Sequence, residues 1–353
     1  MRETDSASIE RWIIGAVSRW RAARVIAIKA IKGDASARRF WRVHLETNPP
    51  AQVPASAIAV DLGPDDLPAY ARALGLVREP LPEPPWLNLQ RFLAAIGVAA
   101  PEVYSADVSA RMLMVEDVGE LPLFSAAEQG DPGDIYRLAI DELLLMHIEG
   151  TQRLDSNCLA ASIAYDERLF RYELEEFIEY GLPEVAPSIS GDAIAPELDQ
   201  ISERLGQLPR VFSHRDYHGH NLYLQVRPDG TMKLRVIDFQ DALMAPPAQD
   251  LAVLLTTRDT SRIISERVEQ RLLDYYFAQL IRRGAEAMTF DQFMDSYRLC
   301  VLQHALKVIG RFIKLERQGK SGYAGFIPYA LAQARRSLAP LGGMPQLRAA
   351  LAG

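Results

Sequence analysis

Cysteine is nearly absent: Cys158 and Cys300 are the two in 353 residues, far apart and without ligand spacing. A disulfide framework is excluded, and both read as reduced, buried thiols of a cytoplasmic protein. Positive charge is not in excess. The 39 Lys and Arg face 46 Asp and Glu, a net charge of −7. That disfavours nucleic acid or an anionic membrane surface as the main partner. No apolar run reaches transmembrane length, and the N-terminal MRETDSASIE carries no signal-peptide core, so the expectation is no membrane and a cytoplasmic location. There is no internal repeat and no low-complexity tract. His214, His218 and His220 lack a zinc spacing. What remains is the composition of an ordinary globular protein, long enough for two lobes with separate cores.

The informative stretch is Val211 to Ala242, VFSHRDYHGHNLYLQVRPDGTMKLRVIDFQDA. A short strand runs into His214-Arg215-Asp216, and Asn221 follows. A Pro228-Asp229-Gly230 turn leads to a second apolar strand that ends at Asp238. Three oxygen-bearing side chains thus fall on two loops joined by a hairpin. Phosphoryl transfer needs that arrangement, because it depends mostly on positioning and charge neutralisation. Asp216 is placed to accept the proton of an attacking hydroxyl. Asn221 and Asp238 offer the hard oxygens that magnesium prefers. An aspartate after a strand is often only a turn or cap. The order H-R-D-x-x-x-x-N, then a strand, then Ile237-Asp238-Phe239 is far more specific.

The stretch resembles the core of the aminoglycoside phosphotransferase family, a branch of the protein-kinase-like fold. The family pattern H-x-D-x-H-x-x-N is matched by His214, Asp216, His218 and Asn221. The resemblance implies an α+β, two-lobe protein: a small antiparallel-sheet lobe over residues 1–118 and a mainly helical lobe over 119–353. It implies ATP and Mg2+ as cofactors. In relatives His214 would fix the loop by hydrogen bonding, and His218 would support it. Asp250, in the Gln249-Asp250-Leu251-Ala252 segment, would hydrogen-bond the loop, a role compatible with capping a helix. Arg215 either pairs with a carboxylate or approaches phosphate. Asp241 either faces the acceptor hydroxyls or is a solvated loop residue. His220 has no assigned role.

Upstream, Ile9, Trp12, Ile13, Ala16, Val17 and Trp20 recur at helical spacing. Strands follow at Ala23–Lys32, Arg39–Glu46 and Ser56–Asp61. Between the first two, Gly33, Asp34, Ala35, Ser36 and Ala37 form a small-residue loop: either a plain hairpin or a flap that offers backbone N–H groups to phosphates. The third strand lacks the lysine that most kinases place there. Lys29, Lys32, Arg38 and Arg39 are the neighbouring candidates to replace its charge. Beyond a Pro-rich loop, a helix over Trp86–Ile96 stops at Gly97, and strands at Pro101–Ala106 and Arg111–Glu116 follow. Met114 to Gly119 resembles the family's lobe-connecting hinge, where backbone groups at Glu116, Asp117 and Val118 would meet the adenine edge.

The remainder reads as helical. A capping box is expected at Ser125–Glu128, and helices at Ile135–Glu149 with His147 as a packing residue, and from Asp166 with Gly181 as its stop. Pro183–Pro196 reads as a loop, followed by Leu198–Leu208. Two long helices, Ser265–Arg283 and Thr289–Glu316, close the pattern. On the second, Lys307, Arg311 and Lys314 share a face that Arg317 and Lys320 extend. It is either a solvated basic face or a site for an anionic acceptor or phosphate.

The core motifs, the loop GDASARRF (Gly33–Phe40), Asp238–Ala242, and Gly319–Tyr323 with Ile327-Pro328 together look like a subgroup, the bacterial anomeric N-acetylmuramate/N-acetylglucosamine kinases. That subgroup also replaces the third-strand lysine, often ending the strand in an Asp, as Asp61 does here. The resemblance therefore implies a sugar or alcohol acceptor. The alternatives are a kinase for an aminoglycoside, choline or another alcohol, and a non-catalytic nucleotide-binding relative.

Overall fold

The computed structural model describes residues 6–20, 23–31, 38–47, 54–64, 67–77, 81–226, 230–284 and 288–352. The expected Gly33–Ala37 loop and Lys32 lie outside the described residues.

Five strands build one antiparallel sheet: β1 (Ala23–Ile31), β2 (Arg39–Thr47), β3 (Ser56–Asp61), β4 (Val103–Asp107) and β5 (Met112–Glu116), in the order β1-β2-β3-β5-β4. Alternation along the strands sorts their side chains to two faces. Val43 and Leu45 of β2, Ala57 and Ala59 of β3, and Met112 and Met114 of β5 face one way. They form a small core with Ile9, Ile13, Ala16 and Val17 of the Ser6–Val17 helix. Val60, Leu113 and Val115 face the other way, into a large core with Trp86, Leu89 and Leu93 of the Pro85–Ile96 helix. Both faces of the central strands are therefore covered. The Pro85–Ile96 helix begins with proline at its first position and ends at Gly97, whose φ of 89° only glycine adopts cheaply.

Two further pairs of strands carry the loops of interest. β6 (Val211–Ser213) pairs with β9 (Leu243–Ala245), and β7 (Leu222–Val226) with β8 (Met232–Val236). The rest is helical, dominated by the 28-residue helix Phe290–Arg317. Its capping box forms as expected, with the Thr289 side chain accepting from Gln292 N–H and the Gln292 side chain accepting from Thr289 N–H.

Three expectations fail, each for a physical reason. Ser125 lies inside the Leu123–Gln129 helix, which starts after Pro122 with no side-chain cap. Gly181 does not stop a helix. The chain passes through it in a wide turn, Phe177–Gly181, and on into Leu182–Val185. This glycine serves packing: a Cβ there would lie 2.6 Å from the Phe177 ring and 3.3 Å from Ile309. Its counterpart across the crossing is Gly310, where a Cβ would fall 2.3 Å from the Glu176 carbonyl. Last, most of the expected 183–196 loop is helical. Ser190 caps a helix from Gly191 to Gly206, with Pro196 inside its second turn.

Candidate active site

The β6–β7 loop holds His214 to Asn221, and the β8–β9 loop holds Ile237 to Ala242. The two loops are stitched together. Ile237 N–H donates to the Asn221 carbonyl at 2.9 Å, and the His214 ring meets the Ile237 carbonyl through Nε2 at 3.0 Å. Within the first loop, Asn221 N–H donates to the His218 carbonyl at 2.8 Å and Asn221 Nδ2 to the Asp216 carbonyl at 2.9 Å. The same amide lies 3.4 Å from Asp238 Oδ2. Asp216, Asn221 and Asp238 therefore converge on one place.

Both loops hold a residue in the left-handed region, Arg215 at φ 77° and Asp238 at φ 64°. Such backbone costs about 1–3 kcal/mol per residue and persists only where surrounding contacts over-determine it. Around Arg215 those contacts come from Asp250, which is fully buried in the Pro247–Thr256 helix. Its Oδ2 accepts from His214 N–H and its Oδ1 from Arg215 N–H, each at 2.9 Å. His147 completes the support. Its Nε2 lies 3.2 Å from Asp250 Oδ2 and its Nδ1 2.7 Å from the Tyr276 hydroxyl. Asp250 does not cap its helix, because Pro246 occupies the cap position.

Arg215 is buried, and its guanidinium resolves as an ion pair rather than an open phosphate contact. It donates to Glu173 at 2.8 Å and stacks 4.0 Å from the Tyr70 ring centroid. Asp216 lies 3.8 Å away and Asp241 3.9 Å. Lys307 also reaches Glu173, at 2.9 Å. Burial alone would raise the Glu173 pKa, but Lys307, Arg215 and the Tyr165 hydroxyl bring it down to about 2. The Asp216 carboxyl behaves similarly: desolvation pushes it up, and the charges of Arg215 and Lys307 pull it well below the usual carboxylate range. Asp241 goes the other way. Desolvation raises it, Arg215 offsets part of that, and the nearby Asp216 and Asp238 add to the rise. Asp216 is thus ionised at neutral pH and 37% exposed, open to a ligand.

Asp238 accepts from Arg38 at 2.9 Å and from Gln240 at 3.0 Å. Arg38 is the one of the four basic candidates, among the described residues, that reaches the site. Arg39 instead pairs with Asp61 at 2.6 Å, and Lys29 is exposed on β1. Asn221 and Asp238 supply oxygen donors alone, and no cluster of three or more His, Cys, Asp or Glu side chains placed to hold a metal exists among the described residues. That set fits magnesium, which takes its remaining ligands from water and phosphate, and does not fit zinc.

At the expected hinge, side chains are committed to structure. Glu116 accepts from Arg235 at 2.7 Å. Arg42 of β2 donates to Asp117 at 3.2 Å, and Asp117 also accepts from Gly119 N–H at 3.0 Å. Glu116 N–H is taken by the Glu102 carbonyl at 2.8 Å. Val118 is buried beside these residues. His218 stays neutral, because burial and the charge of Arg258 hold its pKa well below 6.5. His220, unassigned from sequence, pairs with Asp259 at 2.8 Å and stacks on Phe124.

The basic stripe is solvated at Arg311, Arg317 and Lys320, which are exposed, and half-buried at Lys307 and Lys314. Arg311 and Lys314 pair with Glu176, Arg317 with Glu184, and Lys307 with Glu173. Its charge is largely matched by carboxylates on neighbouring helices, so it offers little to an anionic ligand. Sequence reasoning also missed Glu173 and Tyr70. Both are far from the motif in the chain, and no local pattern marks them.

No helix among the described residues is long and apolar enough to cross a membrane. A Caulobacter vibrioides protein named N-acetylmuramate/N-acetylglucosamine kinase is 32% identical, over 85% of this chain and 84% of its own. A Pseudomonas aeruginosa protein of the same name is 29% identical over 73% of this chain and 75% of its own. The choline kinase structure from Cryptosporidium parvum aligns with a TM-score of 0.64 at 15% identity, covering 98% of this chain and 100% of that one. At that identity the likeness shows a common protein-kinase-like fold, α+β with a five-stranded sheet and a mainly helical remainder. The phosphotransferase enzyme family model matches residues 27–288, and the chain belongs to that family.

Proposed function

We propose that the protein transfers the terminal phosphoryl group of ATP to the anomeric hydroxyl of N-acetylmuramate or N-acetylglucosamine. The observation that carries this reading is the convergence of Asp216, Asn221 and Asp238 on two loops hydrogen-bonded to each other. The names of the relatives supply the acceptor class. In this reading residues 1–118 form the nucleotide lobe and residues 119–353 the lobe that carries the loop and the acceptor.

Asp216 orients the acceptor hydroxyl and takes its proton. Its depressed pKa makes it a weak base. Orientation is then its larger contribution, and the proton leaves late, as suits a loose phosphoryl-transfer transition state. Asn221 and Asp238 would hold magnesium, which when bound neutralises charge on the phosphate oxygens. Arg38 adds a cation beside them, in place of the missing third-strand lysine. Arg215 does not meet substrate. It fixes Asp216 and Asp241 electrostatically from below. Asp250 and His147 hold the loop's backbone. The adenine edge would meet backbone groups of Asp117 and Val118.

Incubation with ATP, magnesium and a panel of N-acetylmuramate, N-acetylglucosamine, choline and an aminoglycoside, read by phosphorus NMR, tests this. A sugar 1-phosphate from the amino sugars is expected. Phosphorylation of choline or the aminoglycoside instead would overturn the acceptor assignment.

A further inference from the structure

Tyr70 comes from the segment between β3 and β4, on the short Ala69–Ala73 helix. It is 6% exposed and belongs to the large core with Leu67, Ala71 and Trp86. Its ring also covers the guanidinium of Arg215, which lies 4.0 Å from the ring centroid. The Tyr70 hydroxyl makes no hydrogen bond among the described residues. A buried hydroxyl without a partner costs desolvation and returns nothing. What this side chain contributes is therefore its ring. Burial raises the phenol pKa, and the charge of Arg215 offsets only part of the rise, so the ring stays neutral.

The contacts of Arg215 divide by direction. Its backbone, at φ 77°, is held through its N–H by Asp250. The guanidinium sits at the end of a long side chain and needs a fixture of its own. Nη2 donates to Glu173 at 2.8 Å. Guanidinium hydrogen bonds lie in the plane of the group, so such a bond sets where an edge points. A ring over the face resists tilting and sliding out of that plane. The Arg215 Nε is buried and without a partner among the described residues. That leaves the Glu173 bond and the Tyr70 ring to hold the head. Asp216 and Asp241 stand 3.8 and 3.9 Å from Nη1, beyond hydrogen-bond distance. Their attraction to Arg215 acts through space, and it follows wherever the guanidinium rests.

We propose that Tyr70 is a positioning residue for phosphoryl transfer: its ring, carried by the residues read above as the nucleotide lobe, holds the Arg215 guanidinium in place and through it fixes Asp216. This rests on the role given to Asp216 above, and not on which acceptor is used. Tyr70→Phe, Tyr70→Met and a variant with pentafluorophenylalanine at position 70 are assayed for kcat and for KM of ATP and acceptor, with urea midpoints alongside. The acceptor is whichever member of the panel the wild type phosphorylates. Tyr70→Phe keeps the ring and should hold kcat within about twofold, with a urea midpoint no lower than the wild type. Tyr70→Met removes the ring and should lower kcat about 5- to 30-fold, the span of one buried cation–π contact, with both KM values little changed. The fluorinated ring nearly keeps the shape and reverses the quadrupole, so it should lower kcat as Met does even if the Met variant folds poorly. A loss in Tyr70→Phe equal to that in Tyr70→Met would assign the effect to the hydroxyl and overturn the proposal. Wild-type kcat in the fluorinated variant, or a loss carried by KM alone, would also overturn it. Activity on choline or the aminoglycoside alone overturns the sugar assignment and leaves this test to run on that acceptor; a wild type inactive on the whole panel overturns both.

Discussion

Asp250→Asn tests the support beneath the loop. The side chain keeps its shape and loses its charge and one acceptor oxygen. In the native protein two backbone N–H groups and an imidazole converge on the carboxylate. The amide can accept from one of the two N–H groups and must turn its own NH2 toward the other. One charge-assisted bond is lost and a second is weakened, in a place with no exposure to water. At about 1.5–3 kcal/mol for such a bond, the expected loss of stability is about 3 kcal/mol. Those bonds also hold Arg215 in its strained backbone, one residue before Asp216. Misplacement of a reacting group by about 1 Å costs roughly 100-fold in rate. The variant should therefore lose about 100-fold in kcat, with KM for ATP little changed, and unfold at lower urea concentration. Steady-state kinetics and urea titration followed by circular dichroism measure both. A variant with the wild-type urea midpoint and kcat within about twofold would refute the argument that Asp250 positions the loop.

Asp216→Ala should lower kcat by about 10²- to 10⁴-fold with KM for ATP preserved, measured by coupled ADP release. Arg38→Ala should raise KM for ATP and lower kcat, whereas Arg39→Ala, which breaks the Asp61 pair, should change both much less; the reverse order would reassign the lysine's substitute. Gly310→Ala should destabilise by about 1–3 kcal/mol or more, because its methyl would press into the Glu176 backbone; thermal unfolding reads this directly. The pKa of His304, lowered from 6.5 to about 3 mainly by desolvation, gives a pH signature. The unfolded chain binds a proton below about pH 6.5 that the folded one refuses, so stability should fall as pH drops from 6.5 toward 3, by up to about 1.4 kcal/mol per unit. His304→Gln should flatten that slope in urea midpoints taken between pH 7 and pH 5.

The motif and the strands were legible because both are local. Alternation along β2, β3 and β5 divides Ala57 and Ala59 from Val60, and Met112 and Met114 from Leu113 and Val115. That division follows from the two-residue repeat of a strand, whatever the rest of the chain does. The Asp216, Asn221 and Asp238 spacing, with a hairpin between, likewise limits these groups to one neighbourhood. The Thr289 capping box needed only its own four residues.

Tertiary structure decided what depends on distant partners. Charge is the clearest case. Lys307, Arg311 and Lys314 form a basic face on the helix that carries them, and Glu173 and Glu176 neutralise it from another helix. The glycines are a second case. Gly181 has the chemistry of a helix stop, yet the crossing with Gly310 uses it as a gap for neighbouring atoms. The choice of Arg38, just before β2, over Arg39, at its first position, is a third, since the fold determines which of the two meets Asp238 and which meets Asp61. Local pattern thus set the strands and the neighbourhood shared by Asp216, Asn221 and Asp238, while pairing across the chain set the pKa values, the close contacts and the cations around them, because electrostatics and packing act through space and not along sequence.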